Sequence, residues 1–234
     1  MGPCKFSVHI NKEGYFVIAV CAVATFLLTA FSITMGLIGL AATSFCCYFF
    51  RDPDRVIPKD KNLILSPADG KIVDICKSSP PEHLNLSNKT PRFVISIFLG
   101  ILDVHINRIA TKGTIKALYY KPGKFLPACN ASASTENEQQ FIVMETPDKR
   151  DLIIKQVAGT VARRIVCNLH EEQEVNSGDR FGMIRFGSRV EIFLPEGVEP
   201  KVSKGQTVLA GETVMADLEG VNKSDAETSP SQAQ

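Results

Sequence analysis

The chain has 234 residues, 44% hydrophobic and 22% charged, and its 26 Lys and Arg against 25 Asp and Glu leave a formal net charge of +1. Such a balance argues against wholesale disorder, a collagen-like repeat and a basic nucleic-acid binder, so no nucleic-acid partner is expected. The mean hydropathy of +0.05 is set by one stretch, because the 37 residues from Gly14 to Phe50 contain no Asp, Glu, Lys, Arg or His. A uniformly soluble protein is thereby excluded.

As one helix those 37 residues would extend about 55 Å, against a hydrocarbon core of about 30 Å. The run is therefore expected to fold back as a helical hairpin. Gly36 and Gly39 are placed to form its turn, leaving arms of about 20 and 12 to 14 residues. Lys5 and Lys12 precede the run and Arg51, Arg55, Lys59 and Lys61 follow it, so the positive-inside rule puts both flanks on the cytoplasmic face of a cell membrane. The run far exceeds the apolar core of about 7 to 15 residues in a cleaved signal peptide, and no A-x-A site follows.

Beyond Arg51 the helical signal gives way to short β-rich runs between Gly, Pro, Asn and Asp. Strands are predicted over 70–76, 93–98, 114–119, 140–146, 151–157, 161–166, 183–186, 189–194 and 213–216, with a loop over 78–91. The fold class is mainly β within an α+β chain, a strand-rich barrel or sandwich-like hybrid behind the hairpin. The expected domains are an anchor over 1–50, a polar domain over 51–222 and a disordered tail over 223–234. Segments 153–161 and 202–214 each read as strand, Gly turn, strand, and the second resembles half of a biotin-carrier or lipoyl hairpin, without the lysine those carriers modify. Seven cysteines with no C-x-x-C pair suggest neither a disulfide framework nor a zinc site, and place the polar domain on the reducing side of the membrane.

Four places carry possible chemistry. In Gly187-Ser188, between two strand-like runs, a serine hydroxyl follows a residue whose missing side chain lets the peptide bend into the geometry of attack on the glycine carbonyl. The resulting ester breaks by β-elimination to dehydroalanine and then a pyruvoyl group. His105, in Asp103-Val104-His105-Ile106-Asn107-Arg108, is a proton shuttle beside polar groups suited to carboxylate or phosphate oxygens. Asp69, in Ser66-Pro67-Ala68-Asp69-Gly70, is a carboxylate on a tight turn able to orient an imidazole. Tyr120-Lys121-Pro122-Gly123-Lys124-Phe125-Leu126 followed by Glu136-Asn137-Glu138 is placed to line a pocket.

Taken in order, these blocks resemble the phosphatidylserine decarboxylase family, in its short, bacterial, membrane-associated branch. The resemblance also runs through Phe49-Phe50-Arg51-Asp52-Pro53, residues 159–165 (Gly159 to Ile165) and residues 180–190 (Arg180 to Val190). It implies a proenzyme that cuts itself between Gly187 and Ser188, so that Ser188 becomes a pyruvoyl cofactor and neither metal nor pyridoxal phosphate is required. The resulting fragments, 1–187 and 188–234, would stay associated; the first carries 22 basic and 17 acidic residues, the second 4 and 8. The substrate amine would condense with the pyruvoyl ketone as a Schiff base, and loss of CO2 would turn phosphatidylserine in the membrane into phosphatidylethanolamine.

By the same resemblance His105 and Asp69 are catalytic partners, and Asn107, Arg108, Arg163 and Arg164 are candidates for the substrate headgroup. The longer branch has two histidines three residues apart. Here His105 aligns with the earlier one and Arg108 stands at the later, so the step served by His105 stays open. So do the lipid tails, archaetidylserine being an alternative substrate, and assembly as a homo-oligomer. A non-catalytic, membrane-anchored, carrier-like β module is the alternative from another class.

Overall fold

The uncharged run folds as two antiparallel helices whose ends are joined by paired strands. In the computed structural model, which describes residues 8–84, 86, 88–128, 132–159, 165–185 and 188–219, β1 (Val8–Ile10) leads into α1 (Lys12–Phe31), α2 (Ile33–Phe49) and β2 (Arg51–Pro53). β1 and β2 pair antiparallel, so the chain enters and leaves the hairpin at one place. Asn11 caps α1, its side chain accepting from the Glu13 N–H at 3.0 Å.

The turn is not at Gly36 and Gly39. It is the single extended residue Ser32, with φ −161° and ψ 137°, and it leaves arms of 20 and 17 residues. The two glycines instead let the helices touch. A Cβ on Gly36 would lie 2.4 Å from Thr29 Oγ1, and one on Gly39 would lie 3.0 Å from Thr25 Cα. Thr25 and Thr43 hydroxyls meet at 3.0 Å and the Cys21 and Cys46 sulfurs at 3.7 Å, completing a seam of small residues of the kind that packs helices in apolar surroundings. The bulky side chains point away from that seam. Phe16, Phe26, Phe31 and Ile33 are each more than 70% exposed, an apolar surface no isolated soluble domain would leave bare.

The polar part contains β3 (Leu63–Leu65), β4 (Gly70–Ser78), β5 (Arg92–Leu99), β6 (Ile106–Arg108), β7 (Gly113–Lys121) and the single-turn α3 (Ala133–Glu136). It continues with β8 (Gln139–Glu145), β9 (Asp151–Val157), β10 (Ile165–Cys167), β11 (Glu174–Val175), β12 (Arg180–Ile184), β13 (Ser188–Phe193), β14 (Thr207–Val208) and β15 (Val214–Asp217). Eight strands form one curled half-barrel sheet in the order β11-β7-β8-β9-β13-β5-β4-β14. Bulges in β4 between Ile72 and Asp74, and in β7 between Ile115 and Ala117, increase its twist. A three-stranded sheet, β10-β12-β6, and the pair β15-β3 complete the fold.

The main core lies on the face carrying Ile95, Ile97, Ile154, Val190 and Ile192, with Phe181 and Ile184 of β12 packed against it. The opposite face buries a smaller cluster around Phe141, Ile153 and Phe193. Burial on both faces explains why β5 and β9 read as nearly continuous apolar runs rather than alternating ones. The strand-rich expectation holds, with the predicted strands inside or overlapping observed ones; β1, β2, β3, β6, β11 and β14, all two or three residues long, are additional. Of the two look-alike segments, 202–214 does not close as a hairpin, since β14 and β15 lie in different sheets, and the end of 153–161 lies outside the described residues. The expected tail over 223–234 lies outside the described residues.

The glycine seam is testable. Gly39→Leu should force the helices apart, so that the oxidative Cys21–Cys46 crosslink obtained in the wild-type chain, mapped by peptide mass, falls several-fold in yield.

Candidate active site

The centre of the candidate site is the start of β13. Ser188 is its first residue, fully buried, and opposes Leu99 at the end of β5. From Leu99 the chain makes a compact turn, with Gly100 N–H donating to Asp103 Oδ2 at 2.8 Å and Asp103 N–H to Gly100 O at 3.0 Å. This turn delivers His105 to the head of β6, which pairs with β12 at Ile106 and Met183. β12 in turn runs to Arg185, three residues before Ser188. The two sheets therefore converge on the segment that joins them, and Gly187 within it lies outside the described residues.

His105 is fully buried, and its Nδ1 lies 2.9 Å from the Asp103 carbonyl. A carbonyl only accepts, so Nδ1 carries the proton and Nε2 the lone pair. Nε2 is buried and has no hydrogen-bond partner among the described residues. Burial, opposed by Asp103, lowers the pKa of His105 from 6.5 to about 4, which makes it a neutral imidazole at physiological pH. Its ring packs on Phe49 at the end of α2, 4.3 Å between centroids. Phe49 and Phe50 form a cluster with Val104, Ile106 and Met183, so the foot of the apolar hairpin is one wall of the site. A second tie is the 2.7 Å ion pair of Arg185 with Glu13 in the first turn of α1.

Asn107 follows on β6. Its Oδ1 accepts from Gln156 Nε2 at 2.8 Å, and both residues are fully buried. Asn107 Nδ2, Gln156 Oε1 and Ser188 Oγ, like His105 Nε2, are buried without partners among the described residues. An unmet buried polar atom costs about 1–3 kcal/mol, and these four, on β6, β9, β13 and the residue before β6, mark a candidate site.

Asp69 and Arg108 are differently engaged. Asp69 Oδ2 accepts from Arg55 at 2.6 Å and Oδ1 from the Ala210 N–H at 2.7 Å, and the carboxylate makes no hydrogen bond to His105. Burial pushes its pKa up, while the Ala210 N–H and Arg55 oppose the rise. Its turn is docked on β6 through the Arg108 N–H, which donates to Pro67 O at 2.9 Å. The Arg108 guanidinium donates to Gly178 O, Pro53 O and Asp52 Oδ1 at 3.0, 3.0 and 3.3 Å. Those bonds fasten β2 to the polar domain. Arg163 and Arg164 lie outside the described residues. The loop around Tyr120 and Lys124 pairs with the 136–138 block, Lys124 with Glu136 at 2.7 Å, and that block is tied to the end of β9, Asn137 Nδ2 donating to the Ala158 carbonyl at 2.7 Å. Gln156, Glu13 and Arg185 were not singled out from sequence; a glutamine inside an apolar strand was the available signal for the first.

A family model described as phosphatidylserine decarboxylase matches residues 42–216. The chain is 49% identical over 213 residues to a phosphatidylserine decarboxylase proenzyme of Wolbachia sp. subsp. Brugia malayi, covering 91% of this chain and 93% of the relative. Proenzymes of the same description from Rickettsia typhi and Rickettsia prowazekii are each 49% identical over 209 residues, covering 89% of this chain and 90% of theirs. The chain belongs to the phosphatidylserine decarboxylase family. It is accordingly an enzyme, which sets aside the carrier-like alternative.

Two outcomes follow from these contacts. Between about pH 6.5 and pH 4 an unfolded His105 binds a proton that the folded site refuses, so acidification through this window lowers stability, by up to about 3 kcal/mol. His105→Gln should remove that slope, read from denaturant midpoints at pH 7 and pH 4.5. Arg108→Met leaves Asp52 paired with Arg180 but strips the Gly178 and Pro53 carbonyls of their guanidinium donor, and should cost about 1–3 kcal/mol in the same measurement.

Proposed function

We propose that the chain is a precursor that cuts itself between Gly187 and Ser188 and uses the pyruvoyl group formed from Ser188 to decarboxylate phosphatidylserine to phosphatidylethanolamine. Family membership supports the substrate and the reaction. The observation that carries the finer reading is the buried hydroxyl of Ser188 at the head of the central strand, which has no partner among the described residues. That hydroxyl is free to attack the carbonyl before it, and β13 holds its backbone on both edges, through β5 and β9.

His105 fits the role of base, since its neutral Nε2 lone pair takes the hydroxyl proton as Oγ bonds to the Gly187 carbonyl carbon. The Gly187–Ser188 C–N bond then breaks and leaves an ester on Oγ. Loss of the Ser188 α-proton and the Cβ–O bond frees the Gly187 carboxylate. The dehydroalanine that remains takes up water and releases ammonia, giving the pyruvoyl end. The residues present suit that end: Ser188 supplies its atoms, and the buried side chains of His105, Asn107 and Gln156 add no fixed charge there. A pyruvoyl group at the head of β13 would supply an electrophilic ketone for the substrate amine and an electron sink for the pair left by CO2. Asp69 we assign to positioning, holding Arg55 and the loop at Ala210 beside the turn that docks on β6.

The hairpin inserts in a cell membrane, in this reading, with the polar domain on the cytoplasmic side. One helix, Lys12–Phe31, is long and apolar enough to cross, and basic residues flank the run at its paired ends. Because His105 packs against the hairpin's foot, the site sits at the surface where a two-tailed substrate resides. The ladders of β13 keep fragments 1–187 and 188–234 together after the cut.

Intact mass of the purified protein should give fragments 1–187 and 188–234, the second with a blocked, ketone-bearing end. Ser188→Ala should leave one chain of 25.6 kDa. Borohydride with labelled phosphatidylserine should fix the label to the small fragment. An uncut wild-type chain that still turns over substrate would overturn the reading.

A further inference from the structure

The Gln156–Asn107 amide pair has a free acceptor and a free donor, both buried. Gln156 Nε2 donates to Asn107 Oδ1 at 2.8 Å, which leaves Gln156 Oε1 and Asn107 Nδ2 with no partner among the described residues. Both side chains are fully buried.

The pair lies next to Ser188. On β13 and β9, Val190 opposes Gln156 and Ile192 opposes Ile154, so Ser188, Val190 and Ile192 share a face with Gln156. Ser188 and Gln156 are diagonal cross-strand neighbours, a relation that places residues about 7–8 Å apart. Gly182 on β12 leaves room for the glutamine: a Cβ there would lie 3.3 Å from Gln156 Nε2 and 2.2 Å from Val166 O. Three strands from two sheets thus bring one amide acceptor and one amide donor to the head of β13.

A serine headgroup carries the complementary set on one carbon, an amine that donates and a carboxylate that accepts. We infer that Gln156 Oε1 receives the substrate amine and Asn107 Nδ2 its carboxylate, making Gln156 a substrate-binding and specificity-determining residue. The inference rests on the decarboxylase reading and adds to it the group that orients the amino-acid end. A neutral N–H suits the carboxylate better than a guanidinium would, because a strong grip on the charge that departs as CO2 would stabilise the ground state over the transition state. The same logic accounts for the commitment of the nearby Arg108 to Asp52 and backbone carbonyls.

The test uses full-length, self-cleaved protein in mixed micelles, with the extent of cleavage measured first. Gln156→Met keeps length and removes the acceptor. It should raise KM for phosphatidylserine at least about tenfold and weaken product inhibition by phosphatidylethanolamine, which retains the amine. Asn107→Leu should raise KM for phosphatidylserine and affect that product inhibition less, since the product lacks the carboxylate. Gln156→Glu, the nearest shape, carries the test if Gln156→Met does not fold or cut: a charged acceptor should tighten inhibition by the amine-only product and weaken binding of phosphatidylserine. Unchanged KM and product inhibition in a cleaved Gln156→Met enzyme, or equal shifts for both lipids in Gln156→Glu, would overturn the inference. A wild-type chain that neither cuts nor decarboxylates in the same assay would instead refute the reading on which it rests.

Discussion

The double pairing of β13 is the constraint on which the rest of this structure depends. Its residues oppose β5 from Leu99 to Val94 and β9 from Val157 to Ile153, so neither edge is left to solvent. The pleat then divides the strand's work. Val190 and Ile192 enter the main core, while Glu191 faces the other way and pairs with Lys155 at 3.0 Å. Locked on both edges and both faces, the strand can begin with a residue whose side chain satisfies nothing. It also retains its pairing partners if the chain is opened just before it, because every ladder bond comes from β5 or β9 and none depends on the preceding peptide.

A second constraint ties that centre to the apolar hairpin. The hairpin's ends are closed by β1 and β2, its foot shares a hydrophobic cluster with β6 and β12, and Phe49 lies against the ring of His105. Arg51 donates to the Leu102 carbonyl at 2.7 Å and Glu13 holds Arg185. The hairpin is therefore part of the site's wall. Any force that moves the hairpin reaches the histidine and the segment before Ser188 through packed rings and ion pairs rather than through a flexible linker.

Much of the fold was legible because its signals are local. The 37-residue uncharged run cannot be a soluble surface, and apolar runs such as 93–98 and 151–157 are bounded by turn residues, so hairpin and major strands could be read directly. Short strands such as β6 and β14 have no period of their own and exist only through their partners. Gly36 and Gly39 misled for a related reason: glycine permits a turn and also permits close contact between helices, and only the neighbour at Thr25 and Thr29 decides which. Asp69 and Arg108 sit in motif blocks, yet their charges are met by Arg55 and Asp52, residues 14 and 56 positions away.

What the sequence by itself determined was the kind of protein: an apolar hairpin, a strand-rich polar domain, and a Gly-Ser pair, histidine and aspartate in a family's order. Each of these depends on residue type and near neighbours along the chain. The tertiary structure alone decided which groups remain unmet. Burial strips His105 of its charge, Asp103 sets its tautomer, and the packing of β6, β9 and β13 leaves amide atoms of Asn107 and Gln156 and the hydroxyl of Ser188 buried without partners among the described residues. Whether a buried polar atom has a partner depends on distances between strands far apart in the chain, and composition and spacing carry no record of those.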